Sequence, residues 1–497
     1  MPKPEVKYAP SRFPHEIGEV EVRRDLTSCI NCGFCATVCP FGVHERKLGH
    51  NRISKPLSYL CIGPSCEEGP FYCVDQCPRK ALSLGTHPNY QTLGDYRWTR
   101  DLILGTWKQA ETGLPLRRLS YEMGDSGGGF DRIFFTFPNE DLKGAGDDAP
   151  VSTAIELNKR EGRKIQIQVP FYGGGMSFGS VSLSVMLARA KAASAWGTFS
   201  CTGEGGYPDA LKAYDENMIT QVATGLFGVS EETIQRVKIV ELKYAQGAKP
   251  GLGGHLLGDK VTAEVARMRE AVAGTDLFSP FPFHSVYSIE DHEKHIDWIK
   301  EINPDALVSV KVSTARDVDM VAVGSYYAGA HIIHLDGSYG GTGAAPDMAK
   351  KNIAMPIEYA IPKVHEFLKE EGVRDKITVI ASGGIRTAYD AAKAIALGAD
   401  GVVIGTAELV ALGCVRCGSC ESSRGCLRGI ATTDPSLAKT LDVEWGAQRL
   451  INLYAAWQET LTNILRRLGM RGVGELVGRY DCLMHLDYFV DKEVMSL

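Results

Sequence analysis

From Ile165 onward the chain repeats one pattern: a short apolar run, a glycine-bearing loop, then a helical stretch. The runs are Ile165–Val169, Thr198–Cys201, Ile239–Leu242, Leu277–Ser279, Leu307–Val312, Ile332–Leu335, Ile377–Ala381 and Gly401–Ile404. Helical stretches such as Val181–Ala195 and Ile289–Glu301 lie between them. Strands joined through helices lie parallel and are covered on both faces, so they read as apolar runs rather than alternating ones. Eight such runs between residues 165 and 404 fit one (β/α)8 barrel. A doubly wound open sheet is the competing arrangement, but no G-x-G-x-x-G follows the first run. The expected fold class is α/β, a TIM barrel.

The last two runs also carry chemistry. Ile377–Ala381 leads into Ser382, Gly383 and Gly384, Gly401–Ile404 leads into Gly405 and Thr406, and a helical pattern follows each. Two such strand ends side by side leave backbone N–H groups free to hold a phosphate. In TIM barrels the phosphate site follows strands seven and eight. Just beyond come Cys414, Cys417, Cys420 and Cys426, close enough in sequence to hold one iron–sulfur cluster. A phosphate-bearing cofactor beside a cluster implies electrons passing between them. The competing reading is a phosphorylated substrate with a structural zinc.

Those four cysteines belong to a wider pattern. Of 14 cysteines, all but Cys201 and Cys482 fall into three tight groups. In a reducing compartment such grouping marks metal ligands rather than disulfides. The segment Cys29–Pro40, CINCGFCATVCP, is the full C-x2-C-x2-C-x3-C-P run of bacterial ferredoxins. Cys61, Cys66, Cys73 and Cys77 form a looser second set that ends in the same way before Pro78. In two-cluster ferredoxins the last cysteine of each run ligates the other cluster. The expected sets are therefore Cys29, Cys32, Cys35 and Cys77 for one [4Fe–4S] cluster, and Cys61, Cys66, Cys73 and Cys39 for the second. Zinc is the alternative at the irregular set.

The chain thus divides into an arm (1–24), a ferredoxin-like 2×[4Fe–4S] α+β domain (25–84), a connector (85–164), the barrel with a third cluster (165–430) and a C-terminal helical extension (431–497). The connector carries a glycine cluster at Gly124–Gly129 without strand–loop–helix context. In the extension, Trp445–Leu468 reads as an amphipathic helix that packs on the barrel. A net charge of −6 advertises no nucleic-acid surface. No run approaches the ~18 apolar residues of a membrane span, and the N-terminus lacks a signal-peptide core. A cytoplasmic protein is expected.

Active-site groups in such barrels lie in the loops after the strands. Here those loops hold Gly173–Ser180, Cys201–Gly206, Lys243–His255, Pro280–His284, Lys311 and Asp336–Gly343. Lys243, Lys249, Lys311 and Arg269 near one mouth imply an anionic substrate and an anionic cofactor. Cys201 reads as a small buried strand-end residue rather than a redox thiol.

The segments MSFGS at Met176, TGEGG at Thr202, AQGAKPG at Ala245, SIED at Ser288, VSVK at Val308, GGTGA at Gly340 and SGGIRT at Ser382 resemble the FMN-binding synthase domain of glutamate synthase, over about residues 169–434. With the double-cluster module, the whole resembles the archaeal-type, split form of that family, a close relative of which makes N-methylglutamate. The resemblance implies FMN held by the first, fifth, seventh and eighth strand ends. The residues concerned are Met176, Ser177, Gly179, Gln246, Lys311, Gly341, Thr342, Gly383, Gly384, Gly405 and Thr406. It implies that 2-oxoglutarate and ammonia condense to 2-iminoglutarate, which reduced FMN converts to glutamate by hydride transfer. By position, Glu204 falls on the family's active-site acid, with Lys243 and Lys249 beside it. Lys243, Lys249 and Arg269 fall on groups that hold the substrate carboxylates, and Gln246 and His255 on the substrate side. Cys414, Cys420 and Cys426 match the family's three ligands of a [3Fe–4S] cluster. Cys417 is additional, so a third [4Fe–4S] cluster is expected.

Three positions depart from the family pattern: Cys201 replaces an asparagine, His255 a glutamine, and Ser338 with Tyr339 the middle of a G-H-D-G-G run. All bear on the substrate side. The chain opens Met1–Pro2 without the nucleophilic cysteine of glutaminase-bearing forms, and it has no dinucleotide fingerprint. Glutaminase and glycine-repeat subunits are therefore expected as separate chains in a hetero-oligomer, with an NAD(P)H-oxidising subunit or a ferredoxin as electron donor. Two alternatives stay open: methylamine in place of ammonia, and an electron-relay subunit without catalysis of its own.

Overall fold

The structure, a computed structural model, describes residues 3–12, 17–46, 53–67, 69–116, 129–138, 150–253, 255–340, 345–421 and 425–486, without the side chains of residues 347 and 351. The chain divides into two units, Pro10–Asp95 and a larger one made of Met1–Ala9 with Tyr96–Leu497.

In the larger unit eight parallel strands close into a barrel in chain order. They are β1 (Phe171–Gly173), β2 (Ser200–Cys201), β3 (Met218–Ala223), β4 (Ile239–Lys243), β5 (Leu307–Ser313), β6 (Ile332–Asp336), β7 (Thr378–Ser382) and β8 (Gly401–Ile404). Two expected runs are not barrel strands. Within Ile165–Val169, Gln166–Ile167 pairs antiparallel with Ile155–Glu156. The barrel strand begins only after Pro170, which has no N–H to give a ladder. Leu277–Ser279 lies in the long loop after β4, where Leu277 makes a single antiparallel bridge to Leu256. The strands missed are β1 at Phe171–Gly173 and β3, whose six residues are all buried.

Five helices matter for the site: α1 (Arg100–Thr112), α2 (Leu183–Trp196), α3 (Ala388–Ala396), α4 (Thr406–Ala411) and α5 (Val443–Arg467). The starts of three are coded locally. Ser182 caps α2 by accepting the Val185 N–H, Thr387 and Asp390 form a capping box on α3, and Asp442 accepts from Trp445 at α5. The helix expected in the C-terminal extension is α5. It buries Leu450, Leu453, Trp457, Leu461 and Ile464 at helical spacing. Tyr454 and Trp457 meet Phe171 of β1 edge-on, at ring distances of 5.1 and 5.6 Å. The connector contributes α1, which periodicity did not reveal. Its Trp107 donates to the carbonyl of Val410 at the end of α4 (2.8 Å). Most of the glycine cluster at Gly124–Gly129 lies outside the described residues. Residues 3–9, expected only as part of an arm, run against α1 and α5. Ala9 N–H donates to Glu111 O, while Arg449 and Asn452 of α5 donate to the carbonyls of Ala9 and Lys7.

Register decides what faces the barrel interior. Gln221 aligns with Glu241, and Ala223 with Lys243. Glu241 aligns with Ser309, and Lys243 with Lys311. Lys311 aligns with His334, and Asp336 with Ser382. Aligned residues point to one side and every second residue returns to it. The polar members of these rows therefore share the barrel's inside, and Lys243, Lys311, Asp336 and Ser382 sit nearest its C-terminal mouth.

The smaller unit is built on Val20–Arg24 paired antiparallel with Leu82–Thr86. Val22 and Leu82 form its core with Val43 and Cys73. Among the described residues no helix is long and apolar enough to cross a membrane.

Candidate functional site

A large cavity opens where β1 and β4–β8 end. Gly383, Gly384, Gly405 and Thr406 line one side of it, as expected of a phosphate cradle. Gly383 and Gly384 have φ of 93° and 103°, a backbone region that side chains resist. A Cβ on Gly383 would come within 2.6 Å of the Gly337 carbonyl oxygen, so the turn after β7 tolerates only glycine there. Met176, Lys311, Asp336, Ser382 and Gln246 line the same space. The Gln246 Nε2 is buried without a hydrogen-bond partner. An orphaned donor facing a cavity is what a bound polar ligand would satisfy.

Gln246 and Lys249 also line a second, smaller pocket, together with Glu204 and Lys243. There Lys243 Nζ donates to Glu204 Oε1 at 2.6 Å, with both side chains largely buried. Burial, with the neighbouring Lys243 ammonium, lowers the pKa of Lys249. His255 lies at the rim of the large cavity, stacked on Phe278 at 4.8 Å. The residues expected to handle a diacid thus adjoin the residues expected to hold a phosphate-bearing ring.

Other expected residues lie behind this wall. Arg269 lines neither space; its guanidinium donates to Ser177 Oγ (2.9 Å) and to the Phe178 carbonyl (3.1 Å). Ser177 and Gly179 belong to the loop that Arg269 holds. Gly341 and Thr342 fall outside the described residues. Of the departures from the family pattern, Tyr339 lines the large cavity under the guanidinium of Arg97, 4.5 Å from its ring. Cys201 is buried, and burial pushes its thiol up to about 12.

Several site-forming residues went unread in the sequence. Arg189 of α2 donates to Glu408 Oε2 of α4 (2.8 Å) and to the Gly174 carbonyl (2.5 Å), and Tyr454 of α5 donates to Glu408. This buried pair ties the β1 loop to the helix behind the Gly405 cradle. Glu241 and His334 form a second buried pair inside the barrel, at 2.8 Å. Lys260 donates to the carbonyl of Cys420. The first pair joins two helices and the second two strands that are not neighbours, so each partner looks ordinary in its own segment.

The cysteines gather as follows. In the smaller unit Cys29, Cys32, Cys35 and Cys77 surround one small cavity, while Cys39, Cys61, Cys66 and Cys73 surround another. His44 lies 3.4 Å from the Cys73 sulfur, and Arg24 is 3.6 Å from that of Cys35. Burial, then the Arg24 charge, drives the His44 pKa down to about 4. In the larger unit Cys414, Cys420 and Cys426 line the main cavity, whereas Cys417 is exposed and does not. Among the described residues no group of three His, Cys, Asp or Glu converges on a single-ion position.

A closed parallel barrel whose mouth joins a glycine cradle, a buried acid–lysine pair and a row of cysteines is the frame of an α/β-barrel redox enzyme. Residues 136–471 match the conserved region in glutamate synthase, and residues 21–78 match a 4Fe–4S dicluster domain. An archaeal-type glutamate synthase [NADPH] of Thermotoga maritima is 37% identical over 94% of both chains. The archaeal glutamate synthase [NADPH] of Archaeoglobus fulgidus shows the same identity and coverage. The glutamate synthase [NADPH] large chain of Azospirillum brasilense is 38% identical over 64% of this chain and 21% of its own length. The chain belongs to the glutamate synthase family, as a glutamate synthase-type oxidoreductase with an iron–sulfur domain.

Proposed function

We propose that the barrel binds FMN and makes glutamate by reducing 2-iminoglutarate, formed from 2-oxoglutarate and ammonia, with electrons drawn through the iron–sulfur clusters. One observation carries this reading: Gln246 and Lys249 line both the glycine-cradled cavity and the pocket of Glu204 and Lys243. A redox ring in the first space would therefore adjoin a diacid in the second. The fit of FMN rests on the open space beside Gly405, on the glycine turn at Gly383 and Gly384 that lines the same cavity, and on the unpartnered Nε2 of Gln246. Lys311 would sit by the ring, with Gly341 and Thr342 assigned to the same cofactor by resemblance. When bound, FMN supplies the hydride.

The chain's own residues do the rest. Lys243 and Lys249 hold the carboxylates of the diacid, and burial strengthens that attraction by excluding water. Glu204 keeps a proton within reach of the imine nitrogen, the task of a general acid. Lys243, at 2.6 Å, fixes the orientation of that carboxyl group. Arg269 holds the Ser177 loop rather than meeting substrate directly.

In the smaller unit the thiols ring two cavities instead of meeting at a point, which suits two [4Fe–4S] clusters better than zinc. The third cluster is assigned to Cys414, Cys420 and Cys426, with Cys417 as the candidate fourth ligand that would make it [4Fe–4S]. Nitrogen supply is assigned to separate glutaminase and glycine-repeat subunits. Electron supply is assigned to an NAD(P)H-oxidising subunit or a ferredoxin.

The test is anaerobic reconstitution with FMN and iron, followed by chemical reduction and mixing with 2-oxoglutarate and ammonium. Flavin reoxidation that needs both compounds supports the reading. Reoxidation with methylamine alone would move the product to N-methylglutamate. A flavin reduced through the clusters but inert to every amine would make the chain an electron relay.

A further inference from the structure

Inside the barrel, below the main cavity, one hydrogen-bonded chain crosses five strands, β3 to β7. Gln221 Nε2 donates to Glu241 Oε1 at 2.6 Å, and Ser309 Oγ donates to Glu241 Oε2 at 3.2 Å. His334 Nδ1 lies 2.8 Å from that same Oε2, and its Nε2 lies 2.8 Å from Ser382 Oγ. Ser382 Oγ is in turn 2.6 Å from Asp336 Oδ1. Asp336 Oδ2 accepts the Gly247 N–H (2.9 Å) and faces Lys311 Nζ at 3.4 Å. His334 is 1% exposed and Glu241 2%, so both sit away from bulk solvent.

Counting protons fixes its charge. A serine hydroxyl has one proton, yet Ser382 sits at hydrogen-bond distance from both an imidazole nitrogen and a carboxylate. If Ser382 donates to Asp336, His334 Nε2 must donate to Ser382. Its Nδ1 must also donate, because ionised Glu241 only accepts. The imidazole then carries both protons. If Ser382 instead donates to His334, Asp336 must carry the proton. Either way the chain holds one proton more than a neutral histidine between two carboxylates would supply. The Lys311 ammonium at 3.4 Å and the Gly247 N–H at 2.9 Å both favour the ionised form of Asp336, which assigns the proton to the ring. Of the other titratable groups in this interior, Lys243 is paired with Glu204, and burial raises both the Tyr172 hydroxyl and the Cys201 thiol.

We propose that His334 is a positioning residue of the cofactor site. Its imidazolium offsets the buried Glu241 and, through Ser382, orients Asp336, so that the Lys311 ammonium faces the cavity with the carboxylates beneath it balanced. Two carboxylates and two cations make the chain neutral. Without His334 two carboxylates would stand against Lys311 alone, and a cofactor carrying negative charge on reduction would be disfavoured. This inference rests on the FMN reading for its consequence, but not for the proton itself.

The test uses the full-length, FMN-loaded protein. Sulfite adds to an oxidised flavin to form an anionic adduct that bleaches its absorbance, so its affinity reports the positive charge at the ring. His334→Gln should weaken sulfite binding by roughly an order of magnitude, the scale of removing one buried unit charge at an effective dielectric of about 20. The double variant His334→Gln with Glu241→Gln removes one charge of each sign and should recover most of that affinity. A merely structural role predicts that the double variant is worse than the single one, and that result overturns the proposal. An unchanged sulfite affinity in His334→Gln, with FMN still bound, overturns it as well. Nitrogen-15 histidine NMR of the protein without flavin reads the proton separately. The parent should show one imidazolium signal that vanishes in His334→Gln, and its absence from the parent also refutes the inference. A parent that binds no FMN defeats the FMN reading alone, and the NMR result still decides the proton.

Discussion

Glu204→Gln separates the proton of the proposed acid from everything else it does. The substituted amide keeps the size of the side chain, and its carbonyl oxygen can still accept from Lys243 Nζ, which lies 2.6 Å from Oε1 in the parent. The Ser279 hydroxyl, 3.4 Å from Oε2, loses little. The shape of the pocket and the orientation of Lys243 are therefore retained, and the missing function is proton donation. Losing a general acid typically slows a step by ~10²–10⁴-fold. At about 1.36 kcal/mol per factor of ten, that is roughly 2.7–5.4 kcal/mol of barrier. The assay is anaerobic stopped-flow: protein reduced through its clusters is mixed with 2-oxoglutarate and ammonium, and flavin absorbance is followed. Reoxidation should slow by that factor, while the preceding reduction, in which Glu204 takes no part, keeps its parent rate. Parent-like reoxidation in the variant would refute the assignment of Glu204. Equal slowing of both phases would show that the substitution had damaged the fold instead.

Three further outcomes are expected. Burial and Lys243 lower the Lys249 pKa, so its ammonium loses its proton earlier than a free lysine as pH rises. The KM for 2-oxoglutarate should then climb on the alkaline side, and Lys249→Arg should flatten that limb; a flat parent profile would contradict this. The parent should hold about twelve irons as three [4Fe–4S] clusters, with Cys417→Ser converting only the barrel cluster toward a [3Fe–4S] paramagnetic signal. Because Cys417 is exposed and outside the cavity lining, an unchanged spectrum together with about eleven irons in the parent would exclude it as a ligand. Arg189→Met leaves Glu408 buried without its cation and should cost about 3–5 kcal/mol in urea unfolding, while adding Glu408→Gln should restore much of that loss.

The expected runs fell on six of the eight barrel strands and missed β1 and β3. β3 reads MITQVA, and its Thr220 and Gln221 break the apolar run. Yet both are buried, and Gln221 is polar because it meets Glu241 inside the barrel. Leu277–Ser279 looked equally strand-like, but Pro280 and Pro282 follow it, and Phe278 is 63% exposed in a loop. The glycine cradle was legible because the chemistry of β7 and β8 lies at their ends, where the fold class says to look. The crossed cysteine sets were legible because ligand spacing is local. Buried pairs such as Arg189 with Glu408 were not, since their partners stand 219 positions apart and meet only through closure of the barrel. Arg269 was assigned by position alone, and its bonds to Ser177 and Phe178 give it a supporting task.

The clasp of residues 3–9 against α1 and α5 bears on the order of synthesis. Lys7 and Ala9 leave the ribosome ahead of the barrel, yet Asn452 and Arg449, which bind their carbonyls, are made more than four hundred residues later. β1 likewise waits for Tyr454 and Trp457 to cover Phe171. A nascent chain stopped short of α5 would expose the flank of α1 and the outer side of β1 together, surface that invites aggregation or chaperone capture. The larger unit therefore completes its fold only after α5 has been translated.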